Sequence, residues 1–235
     1  MDTALFAETL RSFRIFITLI IPCVLTLLPV RFFTKIPSYV FRKLLHIIAF
    51  SCVMIMIITA GSWQAAALAS IVIAMTIYPV LRLLENKPWY AGLFVQKEPG
   101  EIRKSLLMFF LMFAAVTAVT WGIFDKPYYA AAAILMWGTG DAAAALVGIP
   151  FGKHKVMLKP ADGKKSWEGS AAMFVVSLVS GFCVLFFGHG SALSLSLTAA
   201  FAGALSGAAA ELFSPGEWDT VTVPAVIAAV LLLVG

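Results

Sequence analysis

The sequence predicts an all-α fold, a polytopic membrane bundle of about eight spanning helices forming one domain over residues 1–235. Three observations carry this. Of the 235 residues, 61% are hydrophobic and 12% charged, against roughly 45 to 50% apolar and about 25% charged in soluble domains. The apolar residues fall into blocks of about 17 to 23, the length that crosses a hydrocarbon core roughly 30 Å thick at about 1.5 Å per residue. Runs such as Ile47–Ile58 and Ala225–Val234 do not alternate apolar with polar residues, as the strands of a membrane barrel must.

The predicted spans are 13–33, 44–60, 63–84, 104–124, 127–149, 169–188, 192–213 and 219–235. The first follows Arg11 and Arg14 but is long and has no small-residue cleavage site before Arg31, so it is read as a retained helix and not a leader. Short turns at Gly61, Asp125 and Gly188–Ser191 separate spans that should pack as hairpins. Cys23, Cys52 and Cys183 all lie inside apolar blocks, without zinc spacing, and are expected to be small buried hydrophobes.

Basic residues alternate with the turns. Arg31, Lys35, Arg42 and Lys43 precede the second span; Arg82, Lys87, Lys97, Arg103 and Lys104 precede the fourth; Lys153, Lys155, Lys159, Lys164 and Lys165 precede the sixth. The intervening turns carry only Lys126. Lys and Arg collect in cytoplasmic loops, so the basic loops are expected to face the cytoplasm and the N-terminus the outside, although Arg11 and Arg14 run against that assignment. The net charge of +5 is mostly this orientation signal, suited to a bilayer with anionic lipids, and no nucleic-acid partner is expected.

Against this apolar background, a few residues carry chemistry. Asp141 stands inside the fifth span, in Trp137-Gly138-Thr139-Gly140-Asp141, about 13 Å up the helix from Pro150. A carboxylate there costs about 2.5 to 3.5 kcal/mol on insertion scales, so it is kept for a partner, a cation or a task. A packing acid hydrogen-bonded within the bundle is the alternative. The loop at 150–169 begins after Gly148 with Gly152 and Lys153 and ends in Asp162-Gly163-Lys164-Lys165-Ser166-Trp167-Glu168-Gly169-Ser170. Glycines that free backbone amides, lysines that supply point charge and the N-terminus of the sixth helix suit an anion. The loop lacks the glycine spacing of a Walker motif. Ser166 also fits a helix N-cap, and Glu168 fits either a clamp on a lysine or a metal ligand shared with Asp141.

Arg42, Lys43 and His46 open the second span, with His46 three or four residues from the cations and so on their helix face. Two roles fit His46, proton acceptor near neutral pH or phosphate ligand. His154 and His189 are given none. Glu211 ends the seventh span and Asp219 opens the eighth, on the same membrane face as Asp141. Three carboxylates converging there suit Mg²⁺, which takes oxygen ligands and shares them with phosphates; solvated helix-end acids are the alternative for Glu211 and Asp219.

Gly140-Asp141-x-x-Ala144-x-x-x-Gly148-x-x-x-Gly152-Lys153, followed by Lys165-Ser166-x-Glu168-Gly169-Ser170, resembles the CTP-dependent polyprenol and lipid kinases that include dolichol kinase and phytol kinase. Arg42-Lys43-x-x-His46, Glu211 and Asp219-x-x-x-Val223-Pro224 also resemble that family, with Thr220 where an Asn is usual. The resemblance implies transfer of the terminal phosphate of CTP, with Mg²⁺, to a membrane lipid alcohol. The residues expected to serve are Asp141, His46 and Glu168 in catalysis; Arg42, Lys43, Gly148, Gly152, Lys153, Lys164, Lys165, Ser166, Gly169 and Ser170 at the nucleotide; and Asp141, Glu211 and Asp219 at the metal.

The central block is also similar to phosphatidate cytidylyltransferase, the alternative reading. That enzyme's His-Gly-Gly and paired-Asp signature has no counterpart in Pro215-Gly216-Glu217-Trp218-Asp219. A transporter is the alternative of another class, but the polar residues gather at one membrane face instead of lining a path. No residue reports the acceptor's chain length or the oligomeric state.

The charge alternation makes a direct prediction. Single cysteines at Lys87, Lys97 and Lys159 should react only with thiol reagents that reach the cytoplasm, and cysteines at Ser62 and Gly190 only with external ones. Labelling of position 159 from outside would invert the orientation.

Overall fold

The computed structural model describes residues 2–87, 90, 100–157, 163, 165–215 and 218–235. Their helices are α1 (Thr3–Phe33), α2 (Ser38–Thr59), α3 (Trp63–Leu84), α4 (Glu101–Thr117), α5 (Pro127–Phe151), α6 (Trp167–Cys183), α7 (Leu193–Phe213) and α8 (Asp219–Val234). α4 and α6 run on through π-helical turns at Ala118–Ile123 and Val184–Gly188. Among the described residues there is no sheet, only an isolated antiparallel bridge between Lys155 and Ser166.

Seven of these helices are long and apolar enough to cross a membrane. The eighth, α8, is equally apolar but has 16 residues, about 24 Å of helix and a little short of a full hydrocarbon core. The protein is therefore a multi-pass membrane bundle. Two helix starts differ from expectation. α1 begins at Thr3, capped by Asp2, whose side chain accepts from the Ala4 amide at 3.4 Å, so Arg11 and Arg14 lie within the helix. α2 begins at Ser38, directly after Pro37, so Arg42, Lys43 and His46 occupy consecutive turns of one rigid helix. Arg31 fastens the intervening turn through Ile36 O at 2.9 Å and Ser38 Oγ at 3.1 Å.

α5 is the central element, buried at most positions from Tyr129 to Ala142 and packed against α6, α2 and α8. Lipid tails are as apolar as leucine, so helices associate in a membrane through close van der Waals packing and interhelical hydrogen bonds. α5 supplies both. Ala130, Ala131, Ala132 and Ala133 are fully buried, and a side chain at Gly138 would run into the Phe50 ring of α2. Gly140 is similarly closed off by Ser177 of α6. Ser177 Oγ donates to Met136 O at 2.8 Å, and Thr139 meets Ser180 at 3.1 Å.

Phe50 centres an aromatic cluster, edge-on to Trp137 at 4.7 Å and to Phe113 at 4.8 Å between ring centroids. The outer surface carries Phe33, Met75, Leu83, Ile123, Phe187 and Leu233 fully or largely exposed, as a hydrocarbon solvent permits. The cysteines do not share one environment: Cys52 is buried, Cys23 half-buried and Cys183 exposed on this outer surface. Burial of all three was the wrong expectation, because an apolar stretch in a lipid-facing helix need not turn inward.

Successive crossings bring the ends of α1, α3, α5 and α7 and the starts of α2, α4, α6 and α8 to one end of the bundle. Salt bridges Arg42–Glu101 at 3.4 Å and Arg103–Glu85 at 2.8 Å tie α2, α3 and α4 together there. At the opposite end, Ser62 donates to Glu8 at 2.7 Å, joining α3 to α1. Lys97, Lys159, Asp162 and Lys164 lie outside the described residues.

Candidate functional site

Asp141 is the first of two charged centres at the connected end. α5 holds it directly after Gly140 and about a turn beyond Gly138, where α2 is close enough for Lys43 Nζ to reach Asp141 Oδ2 at 2.6 Å. Both side chains are about three-quarters buried. The lysine neutralises a carboxylate that hydrocarbon would otherwise expel, since a buried charge persists only when paired and hydrogen-bonded. His46, one turn further along α2, places Nε2 3.3 Å from the same carboxylate oxygen. That nitrogen is buried and makes no hydrogen bond within the protein. Its ring is fixed by stacking on Phe50 at 4.2 Å and by the edge of Phe109 at 5.1 Å. A pre-positioned imidazole beside a carboxylate is an arrangement able to accept a proton.

Lys165 is the second centre. Its ammonium lies 3.1 Å from Glu211 Oε1 and 3.4 Å from Asp219 Oδ2, and also donates to the Glu211 backbone carbonyl. α7 ends and α8 begins around this contact, so one lysine fastens both helices to the start of α6. The Lys165 and Glu211 side chains are nearly nine-tenths buried, which makes removal of either partner costly.

A cavity of about 160 Å³ lies between α5, α6 and α7, lined by Asp141, Ala144, Ala145, Gly148, Ile149, Lys155, Lys165, Ser166, Gly169, Ser170 and Glu211. Gly148 and Gly169 form its narrowest wall because the helix backbones nearly touch there: a Cβ on Gly169 would stand 2.9 Å from Ala144 O and 3.3 Å from Gly148 Cα. Ser166 caps α6, its Oγ accepting from Gly169 N at 3.2 Å. The Trp167 amide is likewise taken, by His154 O at 3.0 Å. Two of the first amides of α6 are thus satisfied internally. Ser170 Oγ is buried in the cavity wall and makes no hydrogen bond within the protein. Buried hydroxyls are nearly always paired, so this one has capacity for a ligand atom or water.

The two ends of the loop are zipped together by Val156 N to Lys165 O and Trp167 N to His154 O, each 3.0 Å. This register buries Val156 and turns Lys155 to the cavity. Lys153, expected at the nucleotide, is exposed and outside the cavity lining. Lys155, two residues on and also one of the loop's basic residues, is the one in this segment that lines the cavity. Gly152 packs on Gly148 and Ser166, where a Cβ would lie 2.8 Å from Ser166 Cβ.

Among the described residues, the partner of Glu168 is His154 and not a lysine. Its Oε1 meets His154 Nδ1 at 2.6 Å, and both oxygens accept from the His154 amide at 3.2 and 3.3 Å. His154, given no role from sequence, is therefore the clasp that holds the loop's first segment against α6. Arg42 faces Glu101 and does not line the cavity. Lys164 lies outside the described residues.

Among the described residues no three His, Cys, Asp or Glu side chains gather closely enough to hold a metal ion. Asp141 and Glu211 nevertheless line one cavity, and Lys165 joins Glu211 to Asp219. Mg²⁺ usually takes one or two carboxylates and completes its shell with water and phosphate. The donor set fits a cation that arrives with a phosphate and not a resident, fully caged one.

Comparison with known proteins adds one likeness. The chain is 35% identical over 98 residues to a phytol kinase of Synechocystis sp., a match spanning 42% of this chain and 41% of that protein. No protein-family model and no solved structure matches the chain.

Replacing Asp141 by Asn keeps shape and removes charge. The substituted protein should insert and fold, yet lose at least about a hundredfold in turnover, since positioned acid–base groups contribute roughly 10²- to 10⁴-fold. Retention of most activity would make Asp141 a packing residue.

Proposed function

We propose that this protein is a CTP-dependent kinase that transfers the terminal phosphate of the nucleotide to a membrane lipid alcohol, working as one transmembrane domain whose nucleotide loop at 150–169 faces the cytoplasm. The observation that carries the reading is the adjacency of two chemistries. A buried carboxylate–imidazole pair, Asp141 and His46, abuts a cavity walled by Lys155, Lys165 and the unpaired Ser170 hydroxyl. The first suits an acceptor hydroxyl and the second a polyphosphate. The resemblance of Gly140–Ser170 to CTP-dependent lipid kinases supports the choice of nucleotide, and the partial likeness to a phytol kinase supports the choice of reaction.

Phosphoryl transfer asks a protein mainly for positioning and charge neutralisation. The lipid hydroxyl, delivered within the bilayer, attacks the γ-phosphorus; the bond from that phosphorus to the β–γ bridging oxygen breaks, and CDP leaves. The hydroxyl proton passes to His46 Nε2, where the Asp141 carboxylate, itself paired with Lys43, stabilises the imidazolium. Lys155 and Lys165 offset the phosphate charge, and Ser170 donates to a phosphate oxygen. A bound Mg²⁺, held by Asp141, Glu211 or Asp219 together with phosphate oxygens, would supply further neutralisation of charge on the transferred group.

Transport fits less well, because the described polar contacts at the far end of the bundle, Glu8 with Ser62 and Lys126 with Gly235 O, make no chain toward Asp141. The cytidylyltransferase reading shares the site but differs in the bond broken. Purified protein should be given CTP labelled separately at the α- and γ-phosphates, with a panel of polyprenol, phytol, diacylglycerol and phosphatidate. Label should reach an alcohol from the γ position only. Label entering a lipid from the α position would overturn the kinase assignment and attach the same cavity to cytidylyl transfer.

A further inference from the structure

Lys165 is placed where a phosphate-binding lysine belongs, yet it is fully engaged elsewhere. An ammonium has three N–H donors and no acceptor. Lys165 meets three oxygens: Glu211 Oε1 at 3.1 Å, Asp219 Oδ2 at 3.4 Å and the Glu211 carbonyl. Each donor has its acceptor. Contact with a phosphate therefore requires Lys165 to give up at least one carboxylate, and Glu211 is too deeply buried for water to replace the lost charge. The backbone of Lys165 is pinned by the Val156 amide at 3.0 Å and by the Ser166 cap that follows, but its four-carbon stem is free to change rotamer.

We infer that Lys165 is the exchangeable counter-ion of Glu211 and Asp219, occupying them until a phosphate draws it away and leaves the two carboxylates to a divalent cation. Cation and phosphate then bind as a pair: the cation is excluded by Lys165 while the phosphate is absent, and the phosphate alone would strip the carboxylates of their only described cation partner. The device also explains why the acids form no ready-made metal cage among the described residues. The inference rests on the reading of the cavity as a phosphate site that takes Mg²⁺.

The test uses Mn²⁺ alone, without nucleotide, added to the purified full-length protein in detergent, with free Mn²⁺ followed by its electron paramagnetic resonance signal. Lys165→Met should bind Mn²⁺ at least tenfold more tightly than the unaltered protein, and adding Glu211→Gln should abolish that gain. Should Lys165→Met fail to survive purification, Lys165→Gln keeps much of the length and two N–H donors while removing the charge. Equal affinity in the unaltered and Lys165 proteins, or saturable binding by neither, would overturn the inference. Failure of the kinase reading is distinguishable: it would show as absence of γ-label transfer while the Mn²⁺ difference persisted.

Discussion

A carboxylate within a membrane-spanning helix cannot remain charged without a cation, and here the contact of Lys43 with Asp141 at 2.6 Å meets that demand. Much of the site's geometry follows from it. The contact sets where α2 stands along α5, and one helical turn later the same alignment brings His46 to Asp141. Phe50, a further turn along, lies in the notch that Gly138 leaves open. Ion pair, imidazole and aromatic cluster are successive turns of one helix–helix seam.

On the other side of α5 the constraint is steric. Gly148 and Gly169 let α5 and α6 approach until backbone meets backbone, Gly140 makes room for the Ser177 and Met173 side chains, and the hydroxyls of Ser177 and Ser180 replace part of the polar solvation that lipid cannot offer. Close approach at these points leaves the cavity toward the helix ends, where Lys165 draws in α7 and α8. A membrane bundle has little hydrophobic force to hold its helices together, so charges that organise the chemistry also organise the packing. Substitutions at Lys43 or Lys165 should be read with both roles in view.

The bundle was legible in the sequence because hydrocarbon thickness dictates span length and composition reports it directly. Boundaries were less so: Asp2 and Pro37 start helices upstream of the apolar blocks, in stretches whose polarity hid the helical continuation. Asp141 stood out as a lone acid among apolar residues, but its partner is 98 positions away and nothing local names Lys43 over Arg42. The Lys165 contact with Asp219 spans 54 positions, and nothing local pairs that lysine with the acids at the α7–α8 junction. Glu168 has lysines as its neighbours in sequence, but the bridge at Lys155–Ser166 folds His154 onto it, a pairing across 14 positions that nothing local displays. Helix-end residues are legible as a group, and which of them pair is decided by crossings that sequence order does not display.

The dependence of the bundle on the Lys43–Asp141 pair can be measured through the thermal unfolding midpoint of the purified protein. Lys43→Met leaves Asp141 without its cation, whereas adding Asp141→Asn removes the stranded charge, and interactions of this kind make paired substitutions non-additive. The double variant should therefore unfold at a higher temperature than Lys43→Met alone. A double variant less stable than either single one, by the sum of their separate effects, would contradict the account.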